Sequence, residues 1–253
     1  ALHDLSLDAA RRGVEKIKDN LNVGVEKGKV SGQERDDALS RIHMVEDLHG
    51  LANSDVVIEA VLEQIDVKQK LFAELSKIVS KTAILATNTS SLSVTEIAAA
   101  AANPERVVGM HFFNPVHLMK LLELVRALQT SDETLTRSRA LGARLKKEII
   151  VVKDSPGFAS SRLGVALGLE AIRMLEEGVG SAADIDRAME LGYGHPMGPL
   201  KLGDLVGLDI RLAIAKYLYT ETGNQTFRPP QLLKNLVRAG KLGRKSGEGF
   251  YRY

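Results

Sequence analysis

A chain of 253 residues is long enough for one large domain or two modest ones. With 44% hydrophobic and 26% charged residues its composition is globular, which excludes collagen-like or largely disordered proteins. Zero cysteines exclude a disulfide framework, a thiol nucleophile and Cys-ligated zinc. The 34 basic and 32 acidic residues leave a formal charge of +2 and are interleaved, as in Lys146-Lys147-Glu148, so the clustered cations that nucleic-acid binding needs are not expected.

From Asp8 to about Lys27, Val14, Ile17, Leu21 and Val25 recur every three or four residues, which predicts an amphipathic helix capped by Ser6 or Asp8. Ser31-Gly32 reads as a turn before a short helix from Gln33. Arg41–Val45 is short and β-like. From there apolar strands alternate with helical spacings: strand Asp55–Ala60, helix Leu62–Ser80, strand Ala83–Thr87, helix Val94–Ala102, strand Val107–Phe113, apolar run Leu121–Val125, helix Leu135–Leu145 and strand Glu148–Val152. Short strands alternating with helices predict an α/β domain with a parallel, doubly wound sheet, and continuous apolar strands predict cover on both faces. After Lys153-Asp154-Ser155-Pro156-Gly157 the β signals stop. Helices are expected over Phe158–Glu177, Ala182–Leu191, Asp204–Thr222 and Pro230–Ala239, with a domain boundary that gives 1–153 and 154–253. No apolar run approaches the roughly 18–20 residues of a membrane span, Ala1-Leu2-His3-Asp4 does not open a signal peptide, and a cytoplasmic protein is expected.

A doubly wound sheet suggests a nucleotide, whose usual fingerprint is G-x-G-x-x-G between a strand and a helix. Gly178-Val179-Gly180-Ser181-Ala182-Ala183 matches in letters but follows a helix, so a helix end and the next N-cap explain it better. Asp4 has two readings. Locally it is a helix N-cap; at the end of a second Rossmann strand it would bind ribose hydroxyls. The second reading puts the first strand, glycine loop and first helix upstream of residue 1, in keeping with the missing initiator methionine.

Polar residues follow three apolar strands directly: Glu59 and Glu63, Thr87 to Ser91, and His111 with Asn114. One such strand end is ordinary; three in consecutive units point to a site at the carboxyl edge of the sheet. His111 alone in an apolar strand is more often a core residue. But Glu123 lies inside Leu121-Leu122-Glu123-Leu124-Val125, and a carboxylate there is costly to bury unless paired. Two strands joined by the Asn114–Lys120 loop would bring them together as a general base and its orienting acid. No His-x-x-x-His helix pair occurs, and no metal is expected.

These motifs resemble a known family. Ser90 in Asn-Thr-Ser-Ser-Leu, Gly109-Met110-His111-Phe112-Phe113-Asn114-Pro115, Met119-Lys120-Leu121-Leu122-Glu123, Asp154-Ser155-Pro156-Gly157-Phe158, His195-Pro196-Met197-Gly198-Pro199 and Lys245-Ser246-Gly247-Glu248-Gly249-Phe250-Tyr251 are similar, in order and over the whole chain, to the L-3-hydroxyacyl-CoA dehydrogenases, in particular those acting on 3-hydroxybutyryl-CoA. The resemblance implies a Rossmann-type domain lacking its first βα unit, followed by an all-helical domain. It also implies NAD as cofactor, an acyl-CoA substrate and a homodimer through the C-terminal helices. His111 would be the catalytic base and Glu123 its partner, Ser90 would bind the substrate oxygen, and Asp4, Glu63, Lys68, Asn114 and Lys245 would contact the cofactor. Ser161, before Arg162, stands where several relatives carry a substrate-contacting Asn; a serine hydroxyl reaches less far. Lys16, Lys18, Lys27 and Lys29 are candidates for the CoA phosphates. The alternative is a related dehydrogenase of a small hydroxy or sugar acid without CoA, which free CoA would not inhibit. The apolar stripe Leu163, Leu167, Leu169, Leu205, Leu208 and Leu212 is read as the dimer face.

Overall fold

The computed structural model describes residues 1–253, which pack as two compact units. The first holds Ala1–Asn88, Thr95–Val108 and Gln129–Leu141, and the second Thr89–Val94, Gly109–Leu128 and Gly142–Tyr253.

In the first unit, residues 1–4 run extended. Leu2 bridges Met44 in parallel, with Leu2 N donating to His43 O (2.7 Å) and Val45 N to Leu2 O (2.9 Å), so Arg41–Val45 contributes one bridge and no longer strand. Helix α1 (Leu7–Glu26) follows, and its N-cap is Ser6, whose hydroxyl accepts from Ala9 N at 3.2 Å. Helix α2 (Gly32–Ser40) begins with a capping box: Ser31 Oγ accepts from Glu34 N (3.1 Å) while Ser31 N donates to Glu34 Oε2 (2.8 Å). Strand β1 (Val56–Glu59), helix α3 (Ile65–Ile78) and strand β2 (Ile84–Thr87) form a βαβ unit, with the strands parallel and Glu59 beside Thr87. β2 is buried throughout. β1 is not: Ile58 is 42% exposed, which corrects the expectation of cover on both faces. Helix α4 (Val94–Ala99) lies next in the chain. Buried Arg106 bridges the end of α3, its guanidinium donating to Ser76 O (2.9 Å) and to Ser80 O. A cation suits the carbonyls that a helix C-terminus leaves unpaired.

Strand β3 (Val107–Phe112) starts in the first unit and ends in the second. There it pairs with β4 (Leu121–Arg126), and β4 pairs in parallel with β5 (Glu148–Lys153). The β3–β4 pair is antiparallel, a correction to the all-parallel expectation. Its cause is the short link Phe113–Lys120: a parallel crossover needs a dozen or more residues, usually with a helix. Gly109 is opposite Val125, and a side chain on it would sit 2.7 Å from Val125 Cβ, so a glycine is needed for the strands to close. Helix α5 (Asp132–Arg144) precedes β5; its Gly142 fits against Ile149 and Leu122.

The rest is helical: α6 (Ser160–Glu176), α7 (Ala182–Gly192), α8 (Pro199–Val206), α9 (Leu208–Thr222) and α10 (Gln231–Arg238). Gly178 takes a positive φ after α6 and Ser181 caps α7, as read from the near-match to the dinucleotide fingerprint. The single helix expected over Asp204–Thr222 is two, broken at Gly207, whose φ of 105° no helix accommodates. Leu169, Ile172, Leu200, Leu208, Leu218 and Leu233 form the core of this half. No helix is long and apolar enough to cross a membrane.

Candidate functional site

The antiparallel register sets His111 directly opposite Glu123. Their side chains meet, His111 Nδ1 to Glu123 Oε2, at 3.0 Å. Both are buried, Glu123 completely. The imidazole is flanked by Phe113 (ring centroids 4.4 Å apart) and Phe158 (6.0 Å), an apolar collar that holds its plane. With Nδ1 turned to Glu123, Nε2 is the ring atom available to a reacting group.

Glu123 also receives the start of α6. Oε1 accepts from Ala159 N (2.9 Å) and Ser160 N (3.2 Å), and Oε2 accepts from Ser160 Oγ (2.6 Å). The turn that aims these donors is tight: Gly157 has φ 74° and Phe158 has φ 52°, a left-handed conformation rare for a bulky residue. Ala159, the N-cap, has no side-chain cap of its own, so a carboxylate from another strand satisfies the amides. Burial pushes the Glu123 carboxyl up, but the bonds from His111, from the Ser160 hydroxyl and from the Ala159 and Ser160 amides outweigh it and hold the group below the usual carboxylate range. An ionised carboxylate on one imidazole nitrogen fixes the tautomer and leaves the lone pair of the other free to meet a reacting proton.

Ser161 lies half-buried in the first turn of α6, one residue past the Glu123 clamp. Ser90 is half-buried in the loop after β2, where Thr89 Oγ1 accepts from Leu92 N (3.0 Å), and Asn114 is exposed just after β3. Lys245 is exposed and paired with Asp209 at 2.6 Å.

A second polar cluster occupies the carboxyl ends of β1 and β2. Lys68, on α3 and 1% exposed, donates to Glu59 Oε1 (2.6 Å) and lies 3.3 Å from Glu63. Glu59 also accepts from Thr87 Oγ1 (2.7 Å) and Val61 N (2.7 Å). Glu63 and Lys68 are thus brought together, but sequence reading missed that Glu59 is the nearer partner of the lysine, at 2.6 Å against 3.3 Å. The signal was there: Glu59 ends an apolar strand nine residues before Lys68. Asp4 is exposed at the end of the extended segment 1–4 and bonds only to Leu5 N within the protein; the N-cap role has gone to Ser6. The exposed Asp4 carboxylate can accept from hydroxyl donors such as those of a ribose. Lys16, Lys18, Lys27 and Lys29 are all exposed on or just beyond α1.

Two further buried acids were missed. Asp186 accepts from Leu200 N (2.8 Å), Lys201 N (3.0 Å) and Tyr251 OH (2.7 Å), and Asp204 accepts from Phe250 N and Tyr251 N (both 3.0 Å). Both fasten the helical half together.

The two parts of the chain match two family models: residues 1–155 the NAD binding domain, and residues 157–253 the C-terminal domain, of 3-hydroxyacyl-CoA dehydrogenase. A probable 3-hydroxybutyryl-CoA dehydrogenase of Bacillus subtilis is 43% identical over 252 residues, covering 100% of this chain and 88% of its own. The 3-hydroxybutyryl-CoA dehydrogenase of Bradyrhizobium diazoefficiens is 44% identical over the same length, covering 100% and 86%. Among solved structures, the (S)-3-hydroxybutyryl-CoA dehydrogenase of Ralstonia eutropha superposes with a TM-score of 0.95 at 43% identity, covering 99% of this chain and 88% of its own.

Proposed function

This chain belongs to the 3-hydroxyacyl-CoA dehydrogenase family, and we propose that it catalyses the reversible, NAD-dependent oxidation of a short (S)-3-hydroxyacyl-CoA, such as 3-hydroxybutyryl-CoA, to the 3-ketoacyl-CoA. The observation that carries the chemistry is the buried His111–Glu123 pair. His111 Nε2 takes the proton of the 3-hydroxyl, the O–H electron pair becomes the second C–O bond, and Glu123 stabilises the imidazolium so formed. NAD, when bound, accepts the hydride released from C3. In the reverse direction the imidazolium polarises the ketone and returns the proton to its oxygen. Phe113 and Phe158 keep water from the ring.

In this reading Ser90 and Ser161 hold the substrate, and Asp4, Glu63, Lys68, Asn114 and Lys245 serve the cofactor, with Lys68 acting from within its ion pair. Residues 1–153 form the NAD-binding domain and 154–253 the domain for substrate and dimerisation. Support for a homodimer comes from the apolar residues that α6, α8 and α9 leave exposed, namely Leu163, Leu205 and Ile210; Leu163 also lines a cavity of about 250 Å³ with Leu167, His195, Met197 and Arg211. Leu169, Leu208 and Leu212, first read as part of that face, belong to the core, because the stripe spans two sides of the helices. A cytoplasmic location is consistent with a chain without cysteine.

The test is an assay of the purified full-length protein with acetoacetyl-CoA and NADH. Loss of nicotinamide absorbance, inhibited by free CoA, is the expected result. No loss of absorbance with CoA thioesters of any length refutes the reading; turnover of a free hydroxy acid, indifferent to CoA, replaces it with the non-CoA alternative.

A further inference from the structure

The hydroxyl of Ser160 goes beyond what helix capping requires. A serine at a helix start usually accepts a hydrogen bond from its own helix. Here the N-cap position is Ala159, and Ser160 donates outward to a strand: its Oγ reaches Glu123 Oε2 at 2.6 Å while its N–H reaches Oε1 at 3.2 Å. One residue therefore grips both carboxylate oxygens. Three donors reach the carboxylate from α6, and only Ser160 Oγ shares Oε2 with His111 Nδ1. Without it the amides would still hold Oε1, but the angle of Oε2 toward the imidazole would rest on His111 alone.

The geometry points to Ser160 as a positioning residue for the reaction: its hydroxyl fixes the rotation of the Glu123 carboxylate and so the aim of His111 Nε2. It also shares Oε2's negative charge, which sets how strongly the carboxylate supports the imidazolium. No other charged side chain takes this place. The register partner of Glu123 on β5 is Ile150, Arg162 on α6 donates to Ser155 Oγ (3.3 Å), and Asp154 beyond β5 accepts from Ser93 Oγ (2.9 Å). On β3 the group facing Glu123 is His111 itself.

This inference rests on the proposed dehydrogenase reaction, so wild-type turnover of acetoacetyl-CoA comes first; if it fails, that reading fails and not the role of Ser160. Given turnover, Ser160→Ala is expected to lower kcat about tenfold, with KM for both acetoacetyl-CoA and NADH unchanged, as the loss of one charge-assisted hydrogen bond would do. Ser160→Thr, which keeps the donor, should recover most of kcat. In a Glu123→Gln background, removing the Ser160 hydroxyl should cost little more. Should the alanine variant fail to fold, Ser160→Cys, a weak donor of similar size, takes its place with the same expected loss. An unchanged kcat in the folded variant overturns the proposal. So does a loss of the same size in the Glu123→Gln background, or one carried by KM, because the hydroxyl would then act by another route.

Discussion

Glu123 carries two loads that conflict elsewhere in proteins: full burial and full ionisation. A buried carboxylate normally resists charge, and four donors reverse that here. Since its folded pKa lies below the ordinary value of 4.5, the stability it contributes is complete above that value and is lost as pH falls through the depressed one. Glu123→Gln should therefore flatten part of the acid limb of stability, read as denaturant midpoint against pH, and lower kcat by about a hundredfold or more. His111→Gln should abolish turnover yet leave NADH affinity, measured by fluorescence titration, close to wild type; activity surviving that change would show that another group is the base. The pair was legible in the sequence because each polar residue interrupts an apolar run and the spacing permits a hairpin. The Ala159 and Ser160 donors were not, since nothing in a local pattern says which distant carboxylate a helix start will meet.

At the scale of elements, helices in this protein are capped in two ways. α1, α2 and α7 take Ser6, Ser31 and Ser181 from the residue just before them, and such caps can be read from neighbours in sequence. α6 and α8 take Glu123 and Asp186 from other elements. A remote cap ties a helix to its neighbour as well as ending it, so it carries tertiary information that propensity lacks. The same holds for Lys68, which connects α3 to the ends of β1 and β2 through Glu59. Removing one partner leaves a buried charge uncompensated, so Lys68→Met should destabilise the fold by about 3–5 kcal/mol. Urea unfolding followed by circular dichroism measures it. A loss under 1 kcal/mol would mean that the pair is solvated in practice.

For the whole molecule, the exposed apolar face of α6, α8 and α9 bears on assembly. Leu163 is 71% exposed on a helix whose opposite side supplies core residues Val165, Leu169 and Ile172. If this face buries against a second copy, Leu163→Glu should convert a dimer to a monomer by light scattering without loss of helical signal, because the residue makes no contribution to the core. A monomeric wild type would remove the basis for the proposed assembly.

Element order, the α/β half followed by helices, and the family resemblance all came from the sequence alone. Apolar periodicity and motif order are local properties that survive without coordinates. The meeting of His111 with Glu123 also came from the sequence, since polar groups in apolar runs are conspicuous. Tertiary structure decided the antiparallel turn of β4, the break at Gly207, the ownership of Lys68 by Glu59 and the clamp on Glu123. Each of these depends on which distant groups share a buried space, and the free energy of a buried polar atom is set by that partner and not by its neighbours in the chain.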